Sequence, residues 1–520
     1  MTVPRWSRKG AVEANPTGQG RNRVSDSVLA VRPSPLLSAG IAGVLVTLSI
    51  PPFGWWPLGV LGVALLGLAI GRPGDPQSGR PAQALFGRGL VFGIALYAPS
   101  LRWMSQFTVP GAVFAVLLES GITALGVCVL ARRPALLPVA IVTAELFRSR
   151  WPFGGIPIGG IDLGQAAGPF AAIATWGGRL AVVALVACAG MAMVSRGRTR
   201  VALVAITLFA MIGPRLGGPI GTHAVGGPVR FAVVQGGGPI GHRARPELAL
   251  RAYQEQVKAT EELQQHVDVI AWPEDVVDRV RLRESDATVG ATLGGLARSH
   301  KATLIVGEVE AEGPRQFRNT VVAYGPAGES IDRYEKVKRV PYGEYFPFRG
   351  ILQGLGVKLP KRDAIAGRGP AILRTPAAPL AVAISYEGFF SERIRNGVRA
   401  GGEIIVIPTN ASSYRSTQVP TQQIAAAQLR ALESGRWVVQ VAPTGYSALI
   451  DPNGRLRWRG PLGNRVVKLV DVPRRLGLTP YERFGDWPVV VLTLAGALGG
   501  VGRPQLRSRR VQPLAYRDAP

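Results

Sequence analysis

Residues 380–387 are Leu-Ala-Val-Ala-Ile-Ser-Tyr-Glu, five apolar residues followed by a hydroxyl, a phenol and a carboxylate. An apolar run of about 4–8 residues is typical of a buried strand. Polar groups that follow such a strand lie in a loop, where α/β proteins commonly place catalytic residues. Ser385 is therefore a candidate nucleophile, although its position is also compatible with a small residue of the core.

Two further predicted strands end in polar groups. The run 269–272 leads into Pro273 and Glu274, and the run 330–334 leads into Glu335 and Lys336, with Val-Pro-Tyr-Gly-Glu-Tyr at 340–345. A carboxylate, an ammonium and a hydroxyl are sufficient for a general base, an oxyanion stabiliser and a nucleophile. From the pattern alone, Glu274 is equally a helix cap and Lys336 a solvated strand edge.

These motifs lie in a polar stretch, 228–472, in which strands and helices alternate. The alternation predicts a layered α/β domain, and its length is enough to bury a large core. A Gly-rich linker is predicted at 217–227, and Arg430 and Glu433 have the spacing of a pair on one helix face, although they could also border a site. The predicted strands are 230–235, 269–272, 303–309, 320–324, 330–334, 380–385, 403–407, 437–442 and 447–450, and the predicted helices are 246–267, 289–300 and 422–436.

Composition limits the classes of protein that fit. The chain has 520 residues, a formal net charge of +27, 47% hydrophobic residues and two cysteines. The cysteine count excludes a disulfide scaffold, and the apolar content excludes disorder over most of the chain. Residues 228–472 hold 33 basic and 24 acidic residues, so most of the positive excess lies elsewhere. A nucleic-acid-binding domain would carry that excess itself, so no nucleic-acid partner is predicted.

Eight apolar runs predict membrane helices. Basic clusters fall in alternate connections, which places both termini in the cytoplasm and the polar domain outside it. The runs 134–147 and 200–213 are short, and re-entrant or interfacial helices are the alternative there. The domain organisation predicted is a disordered basic tail 1–35, seven membrane helices in 36–214, the α/β domain 228–472, an eighth helix in 485–501 and a basic tail 502–520.

The strand-end motifs resemble the nitrilase, or carbon–nitrogen hydrolase, superfamily. They are Trp-Pro-Glu at 272–274, Tyr-Glu-Lys at 334–336, Val-Pro-Tyr-Gly-Glu-Tyr-Phe-Pro at 340–347, Ile-Ser-Tyr-Glu at 384–387 and Ile-Pro-Thr-Asn at 407–410. The apolar runs on both sides, with Pro-Pro-Phe at 51–53 and Glu-Leu-Phe-Arg at 145–148, narrow the resemblance to the apolipoprotein N-acyltransferase family.

The resemblance implies a fold and a role for each site residue. The fold is an α-β-β-α sandwich carried by a bundle of about eight membrane helices. Glu274 matches the general base, Lys336 the oxyanion-stabilising lysine and Glu344 a supporting glutamate. Tyr386 and Glu387 match the residues that follow the nucleophile.

The resemblance also implies the reaction and its partners. A fatty acyl chain passes from a membrane phospholipid to the N-terminal amine of a diacylglyceryl-cysteine lipoprotein, at the bacterial cell membrane and outside the cytoplasm, with no cofactor. Some actinobacterial relatives are associated with a polyprenol-phosphate mannose synthase, which makes that enzyme a further expected partner. Phe346, Phe348, Phe389 and Phe390 are predicted either to contact lipid or to pack internally.

The sequence departs from the family at the nucleophile, where Ser385 replaces cysteine. Cys128 and Cys188 both lie in apolar runs and cannot substitute. Three interpretations remain open: a natural serine nucleophile, a catalytically silent lipid- or lipoprotein-binding homologue, or an engineered substitution. A membrane-tethered amidase that uses water as acceptor is a further alternative. The four histidines show no ligand spacing, so no metal site is predicted.

Overall fold

The computed structural model describes residues 34–71, 81–212, 220–238, 246–282 and 285–501. The predicted tails lie outside these ranges, apart from residues 34 and 35. A helix forms at each of the eight apolar runs. These helices are α1 (Pro35–Ser49), α2 (Pro57–Ile70), α3 (Ala82–Ser100), α4 (Val109–Leu130), α5 (Leu137–Arg148), α6 (Ala174–Val194), α7 (Gly197–Ile212) and α14 (Trp487–Val501).

The apolar helices differ in length. Within the described residues, two segments are long and apolar enough to cross a membrane, Val109–Leu130 and Ala171–Val194. Three more helices, α1, α2 and α14, are apolar but shorter than the roughly 20 residues of a full span. The structure therefore gives a helical apolar region, in which two helices meet the length and composition of a span.

The polar domain contains two large sheets. The first has the strand order β15-β2-β3-β5-β6-β7, with β4 beside β5 and β8 beside β6, and the second has the order β14-β13-β12-β11-β10-β9. The strands of the first sheet are β2 (Val229–Gln235), β3 (Val269–Ala271), β4 (Val277–Asp278), β5 (Thr303–Glu312), β6 (Gln316–Tyr324), β7 (Ser330–Glu335), β8 (Asp363–Ala364) and β15 (Val466–Val472). Those of the second sheet are β9 (Ile372–Arg374), β10 (Pro379–Val382), β11 (Ile404–Pro408), β12 (Val438–Val441), β13 (Ala448–Ile450) and β14 (Leu456–Arg459).

Each sheet has a parallel centre, β2-β3-β5 in the first and β10-β11-β12 in the second. Alternating apolar side chains of both sheets form one core between them, and the opposite faces are covered by α8 and α9 on one side and α11 and α12 on the other. The domain is thus a four-layer α-β-β-α sandwich. The helices between α7 and α14 are α8 (Pro246–Glu261), α9 (Asp286–His300), α10 (Arg349–Gly354), α11 (Ser391–Arg399), α12 (Val419–Ser434) and α13 (Pro480–Phe484).

Two local predictions are wrong. The predicted linker 217–227 contains a short strand, β1 (Thr222–Ala224), which pairs antiparallel with β16 (Arg475–Gly477) and closes the domain; residues 217–219 lie outside the described ranges. The helix predicted to reach residue 267 ends at Glu261. Leu263 and Val267 are buried beyond the end of the helix. Their spacing continues the apolar pattern of the helix, although the helix itself has ended.

The apolar helices and the sandwich share a continuous buried cluster. Side chains of α12 and of the segment after β10 pack among those of α1 to α6. Polar contacts reinforce this junction. The Gly159 N–H donates to Gln422 Oε1 at 3.0 Å, and the Thr175 hydroxyl donates to the Leu432 carbonyl at 3.1 Å. The connection between α5 and α6 therefore lies directly against the domain.

A buried chain of charges joins the apolar helices. Arg148 on α5 contacts Glu119 on α4 at 2.7 Å and Glu145 at 3.1 Å. Arg179 on α6 contacts Glu145 at 2.7 Å and Asp162 at 2.8 Å. All five side chains are buried, so each charge relies on its neighbours in place of water.

Replacing Arg148 with methionine should lower stability by about 3–5 kcal/mol, because Glu119 and Glu145 would be left buried with less compensation. The matched control is Arg150→Met, two residues away. Arg150 pairs with Asp486 at the surface, and its loss should cost no more than about 1 kcal/mol. Thermal unfolding of both variants in the same detergent is the measurement. Equal melting temperatures would show that the buried chain of charges contributes little.

Candidate active site

Glu274 lies just beyond the end of β3, at the edge where the parallel strands of the first sheet finish. The strand beside it carries Gly307, where an added Cβ would lie 2.3 Å from the Pro273 carbonyl oxygen, so only glycine lets the backbone of Glu274 approach so closely. The carboxylate is buried, and its Oε1 accepts from Lys336 Nζ at 2.8 Å and from Asn319 Nδ2 at 2.9 Å. Burial raises the pKa of Glu274 above its ordinary value, and the Lys336 ammonium opposes that rise only in part.

Lys336 follows β7 and is held between two carboxylates. Its Nζ lies 2.8 Å from Glu274 Oε1 and 2.6 Å from Glu344 Oε1. Burial alone would lower the pKa of Lys336, but the two adjacent carboxylates outweigh it and raise the pKa above the usual range. The ammonium therefore keeps its charge in a dry site, as an oxyanion stabiliser requires.

Glu344 is fixed by the loop that carries it. Its Oε2 accepts from the Val340 N–H at 2.8 Å, while its own N–H donates to the Val340 carbonyl at 2.9 Å. This closed turn directs Oε1 at Lys336. Two carboxylates thus share one ammonium, and this arrangement favours a raised pKa at one of them, consistent with Glu274 as a proton acceptor.

Ser385 begins a short 3₁₀ turn immediately after the strand region of β10. Its φ of 51° lies in the left-handed region, which is costly for a residue with a Cβ and is maintained only where the surroundings require it. The side chain is 9% exposed. Its Oγ accepts from Thr409 Oγ1 at 3.2 Å and lies 3.5 Å from Gln423 Nε2.

Glu387 binds the lysine loop to the serine turn. Its Oε1 accepts from the N–H groups of Val337 and Lys338 at 2.8 and 3.0 Å, and its Oε2 accepts from the Ile384 N–H at 2.9 Å. The Tyr334 hydroxyl lies within 2.9 Å of both oxygens. All of these donors flank Lys336 or Ser385, so Glu387 fixes the relative position of two site residues without facing solvent.

Tyr386 connects the nucleophile turn to the apolar helices. Its hydroxyl donates to the Gly155 carbonyl at 2.8 Å, in the connection between α5 and α6. The ring packs against Phe389 and Phe390, and burial raises the pKa of its hydroxyl above the usual range. Tyr386 therefore acts as a structural contact here, with its hydroxyl already occupied.

The structure places the predicted site residues at one end of the sandwich, and hydrogen bonds join several of them directly. Glu274, Lys336 and Glu344 form a directly bonded set. Glu387 reaches both the lysine loop and the serine turn. Among the described residues, no hydrogen bond joins Ser385 to Glu274 or to Lys336. Catalytic hydrogen bonds are often longer before substrate binds, so this separation is compatible with a base and its nucleophile.

Four residues near the site were not predicted. Asn319 bridges Glu274 and Glu344, and its signal was a lone amide within the apolar strand β6. Thr409 lies in the Ile-Pro-Thr-Asn motif and Gln423 in the predicted helix 422–436. Neither residue carries a sequence signal that indicates a role in the site. Asp275 has a φ of 60°, and its buried Oδ1 has no hydrogen-bond partner among the residues that the structure describes. Burial and the neighbouring Glu274 raise the pKa of Asp275.

The aromatic predictions divide in two. Phe389 and Phe390 are buried, so contact with lipid is wrong for them and internal packing is confirmed. Phe348 is 64% exposed, at the start of α10. The predicted Arg430–Glu433 pair forms, at 2.8 Å, and both side chains are buried. Arg430 also donates to the Phe389 carbonyl, so the pair contacts the segment that follows Ser385.

Comparisons with known proteins identify the family of the chain. The apolipoprotein N-acyltransferase N-terminal domain model matches residues 42–192, and the carbon-nitrogen hydrolase model matches residues 231–477. The apolipoprotein N-acyltransferase of Pseudomonas paraeruginosa is 31% identical over 516 residues, covering 91% of this chain and 97% of that protein. The chain belongs to the apolipoprotein N-acyltransferase family. The predicted family and the nitrilase-like fold are thereby confirmed, and the chain is placed among bacterial membrane enzymes.

Other apolipoprotein N-acyltransferases are similar over most of their length. The protein of Mycolicibacterium smegmatis is 29% identical over 520 residues, covering 89% of this chain and 84% of its own. Among solved structures, an amidase from Nesterenkonia sp. has 19% sequence identity and a TM-score of 0.37, covering 51% of this chain and 97% of its own.

Replacing Glu387 with glutamine should lower stability by about 2–3 kcal/mol, because an amide cannot accept from donors on both of its terminal atoms. Glu392→Gln is the matched control, since Glu392 lies five residues away and pairs with Lys338 at the surface. That change should cost at most about 1 kcal/mol. Melting temperatures in detergent test the difference, and a Glu387 variant as stable as the control would contradict the assignment.

Proposed function

We propose that this chain transfers a fatty acyl chain from a membrane phospholipid to the N-terminal amine of a diacylglyceryl-cysteine lipoprotein. The observation that carries the proposal is the ion-paired Glu274–Lys336–Glu344 set, in which Glu274 and Lys336 are buried, at the same end of the sandwich as Ser385. Apolar helices packed against the serine turn favour a substrate that lies in the membrane. The phospholipid donor and the lipoprotein acceptor are the proposed partners.

In the first half-reaction Ser385 takes the acyl group. Glu274 accepts the Ser385 proton, the serine oxygen bonds to the acyl carbonyl carbon, and the ester bond to the phospholipid glycerol breaks. The leaving glycerol oxygen takes the proton from Glu274. Lys336 stabilises the oxyanion formed between these steps, because its charge is held in a buried site.

In the second half-reaction the lipoprotein amine replaces Ser385 on the acyl carbon. The nitrogen bonds to the carbonyl carbon, the bond to the Ser385 oxygen breaks, and the amine's proton returns through Glu274 to the serine. Glu274 thus acts as base and then as acid in both halves. An oxygen ester reacts with amines less readily than a thioester, so this half places the greater demand on the site.

We also propose the topology suggested by the basic clusters. Eight membrane helices place both tails in the cytoplasm and the sandwich outside it, with the boundaries 1–35, 36–214, 228–472, 485–501 and 502–520.

Phe348, Ile351 and Leu355 are exposed apolar residues on or beside α10 and are suited to contact with lipid near the site.

A catalytically silent binding homologue is the second candidate. The observation that favours it is the Ser385 hydroxyl, which contacts Thr409 and not Glu274. A membrane-tethered amidase with water as acceptor is the remaining enzyme alternative, and the buried apolar junction with the helices disfavours a water-soluble substrate.

Incubation of the purified protein with phospholipid should produce an acyl adduct on Ser385, detected by intact-mass and peptide mass spectrometry. The adduct should be absent from Ser385→Ala and present on Ser385→Cys. A diacylglyceryl-cysteine peptide should then discharge it to an amide.

Each other outcome has a distinct meaning. An adduct on the cysteine variant alone would indicate an intact site whose serine prevents chemistry, as in a silent homologue or an engineered variant. Release of free fatty acid without amide would favour hydrolysis. No adduct on either protein would refute the acyltransferase proposal.

Labelling of single cysteines tests the topology. In a chain carrying Cys128→Ser and Cys188→Ser, the exposed positions Lys358→Cys and Arg198→Cys lie on opposite sides of the proposed membrane. A membrane-impermeant maleimide should label Lys358→Cys in intact spheroplasts and Arg198→Cys only after permeabilisation. Labelling of both, or of Arg198→Cys alone, in intact spheroplasts would contradict the orientation.

A further inference from the structure

A buried chain of donors ends on the serine oxygen. Gln423 Nε2 donates to Thr409 Oγ1 at 2.6 Å, and Thr409 Oγ1 donates to Ser385 Oγ at 3.2 Å, whereas the direct contact of Gln423 Nε2 with Ser385 Oγ is longer, at 3.5 Å. Gln423 lies on α12 and Thr409 follows β11, the strand parallel to β10, so the three side chains converge from separate elements. All three are buried, which shields their hydrogen bonds from competition with water.

The direction of this chain follows from the number of hydrogens. An amide nitrogen has no lone pair to offer, so Gln423 Nε2 is the donor to Thr409. The single Thr409 hydrogen is then directed at Ser385 Oγ, the acceptor within reach. The Ser385 hydrogen is left unused by this chain and stays available to a base.

We infer that Thr409 is a catalytic residue that stabilises negative charge on Ser385 Oγ, with Gln423 as its positioning residue. The inference rests on the proposed acyl transfer and explains how serine can serve in place of cysteine. A hydrogen bond strengthens when its acceptor becomes charged. Thr409 therefore acts most strongly when the bond between the acyl carbon and Ser385 Oγ breaks and the electron pair passes to that oxygen.

This step is where serine differs most from cysteine. As the lipoprotein nitrogen bonds to the acyl carbon, the serine oxygen leaves with the electron pair and then takes the amine's proton from Glu274. A thiolate is more stable and accepts hydrogen bonds weakly, so it needs little help from Thr409. The contribution of Thr409 should consequently depend on which atom occupies position 385.

The test is Thr409→Val in the parent and in the Ser385→Cys background, with single-turnover measurement of both half-reactions. Adduct formation with phospholipid and its decay on adding a diacylglyceryl-cysteine peptide are followed by intact mass. In the parent, the valine should slow decay by about 100-fold, the usual effect of losing one donor to a developing anion. In the cysteine background the slowing should be about threefold or less, by the weaker acceptance of sulfur.

Two variants separate this effect from damage to the fold. Thr409→Ser keeps the hydroxyl and should retain a nearly native decay rate. Gln423→Glu replaces the donor with a carboxylate that attracts the Thr409 hydrogen, so it should slow decay in the parent as the valine does. Thr421→Val is the matched control, because that hydroxyl on α12 bonds to the Gln418 carbonyl.

The outcomes distinguish this inference from the function on which it rests. Adduct formation without any loss of decay rate in the valine variant, or equal losses in both backgrounds, would overturn the role of Thr409 and leave the acyltransfer intact. Failure of the serine parent to form an adduct would overturn both.

Discussion

The active end of the sandwich depends on one buried carboxylate. Glu387 accepts hydrogen bonds from backbone groups on both sides of the site, from the loop after β7 in the first sheet and from the approach to Ser385 in the second. Most of the interface between the two sheets consists of apolar side chains, whose attraction has no preferred direction, although polar contacts such as that of the Arg374 N–H with Asp332 Oδ2 at 2.8 Å also cross it. A directional, charge-assisted contact is needed to hold Lys336 and Ser385 in a fixed relation across that interface. Glu387 therefore fixes the relative position of the two segments that carry Lys336 and Ser385.

The difference between local features and contacts across the fold explains how much could be predicted from the sequence. Strands with apolar runs, and the polar residues at their ends, are local features, so the sandwich and Glu274, Lys336, Glu344 and Ser385 could be anticipated from residue order and resemblance. Contacts made between distant segments could not. Asn319, Thr409 and Gln423 look like ordinary members of a strand, a loop and a helix, and only the folded chain shows that they surround the reacting groups. The choice between lipid contact and internal packing for Phe389 and Phe390 has a related cause, because only the folded chain shows the apolar helices packed against this segment.

Serine at position 385 changes the balance of the site. A thiol ionises readily, whereas a hydroxyl depends on its surroundings both to become a nucleophile and to leave. In this protein, different groups around Ser385 would assist these two steps. Loops of the first sheet supply the carboxylates and the ammonium, to which the proposed reaction assigns proton transfer and oxyanion stabilisation. Loops of the second sheet supply Ser385 and its polar neighbour Thr409. The backbone at Ser385 is left-handed, with a φ of 51°, and its oxygen lies next to Thr409 and Gln423.

The buried charges of the apolar helices also bear on how the protein is made. Glu119 and Arg148 lie on helices that are consecutive in the chain, and burying either charge without the other would be costly. Joined, they offset much of that cost. The contact between α4 and α5 is consequently more favourable than burial of either charged helix without the other. Arg179 and Asp162 follow later in the chain, so the completed network forms only after the third of these helices has emerged from the ribosome. The order in which these buried charges can find their partners is thus set by the order of the helices in the chain.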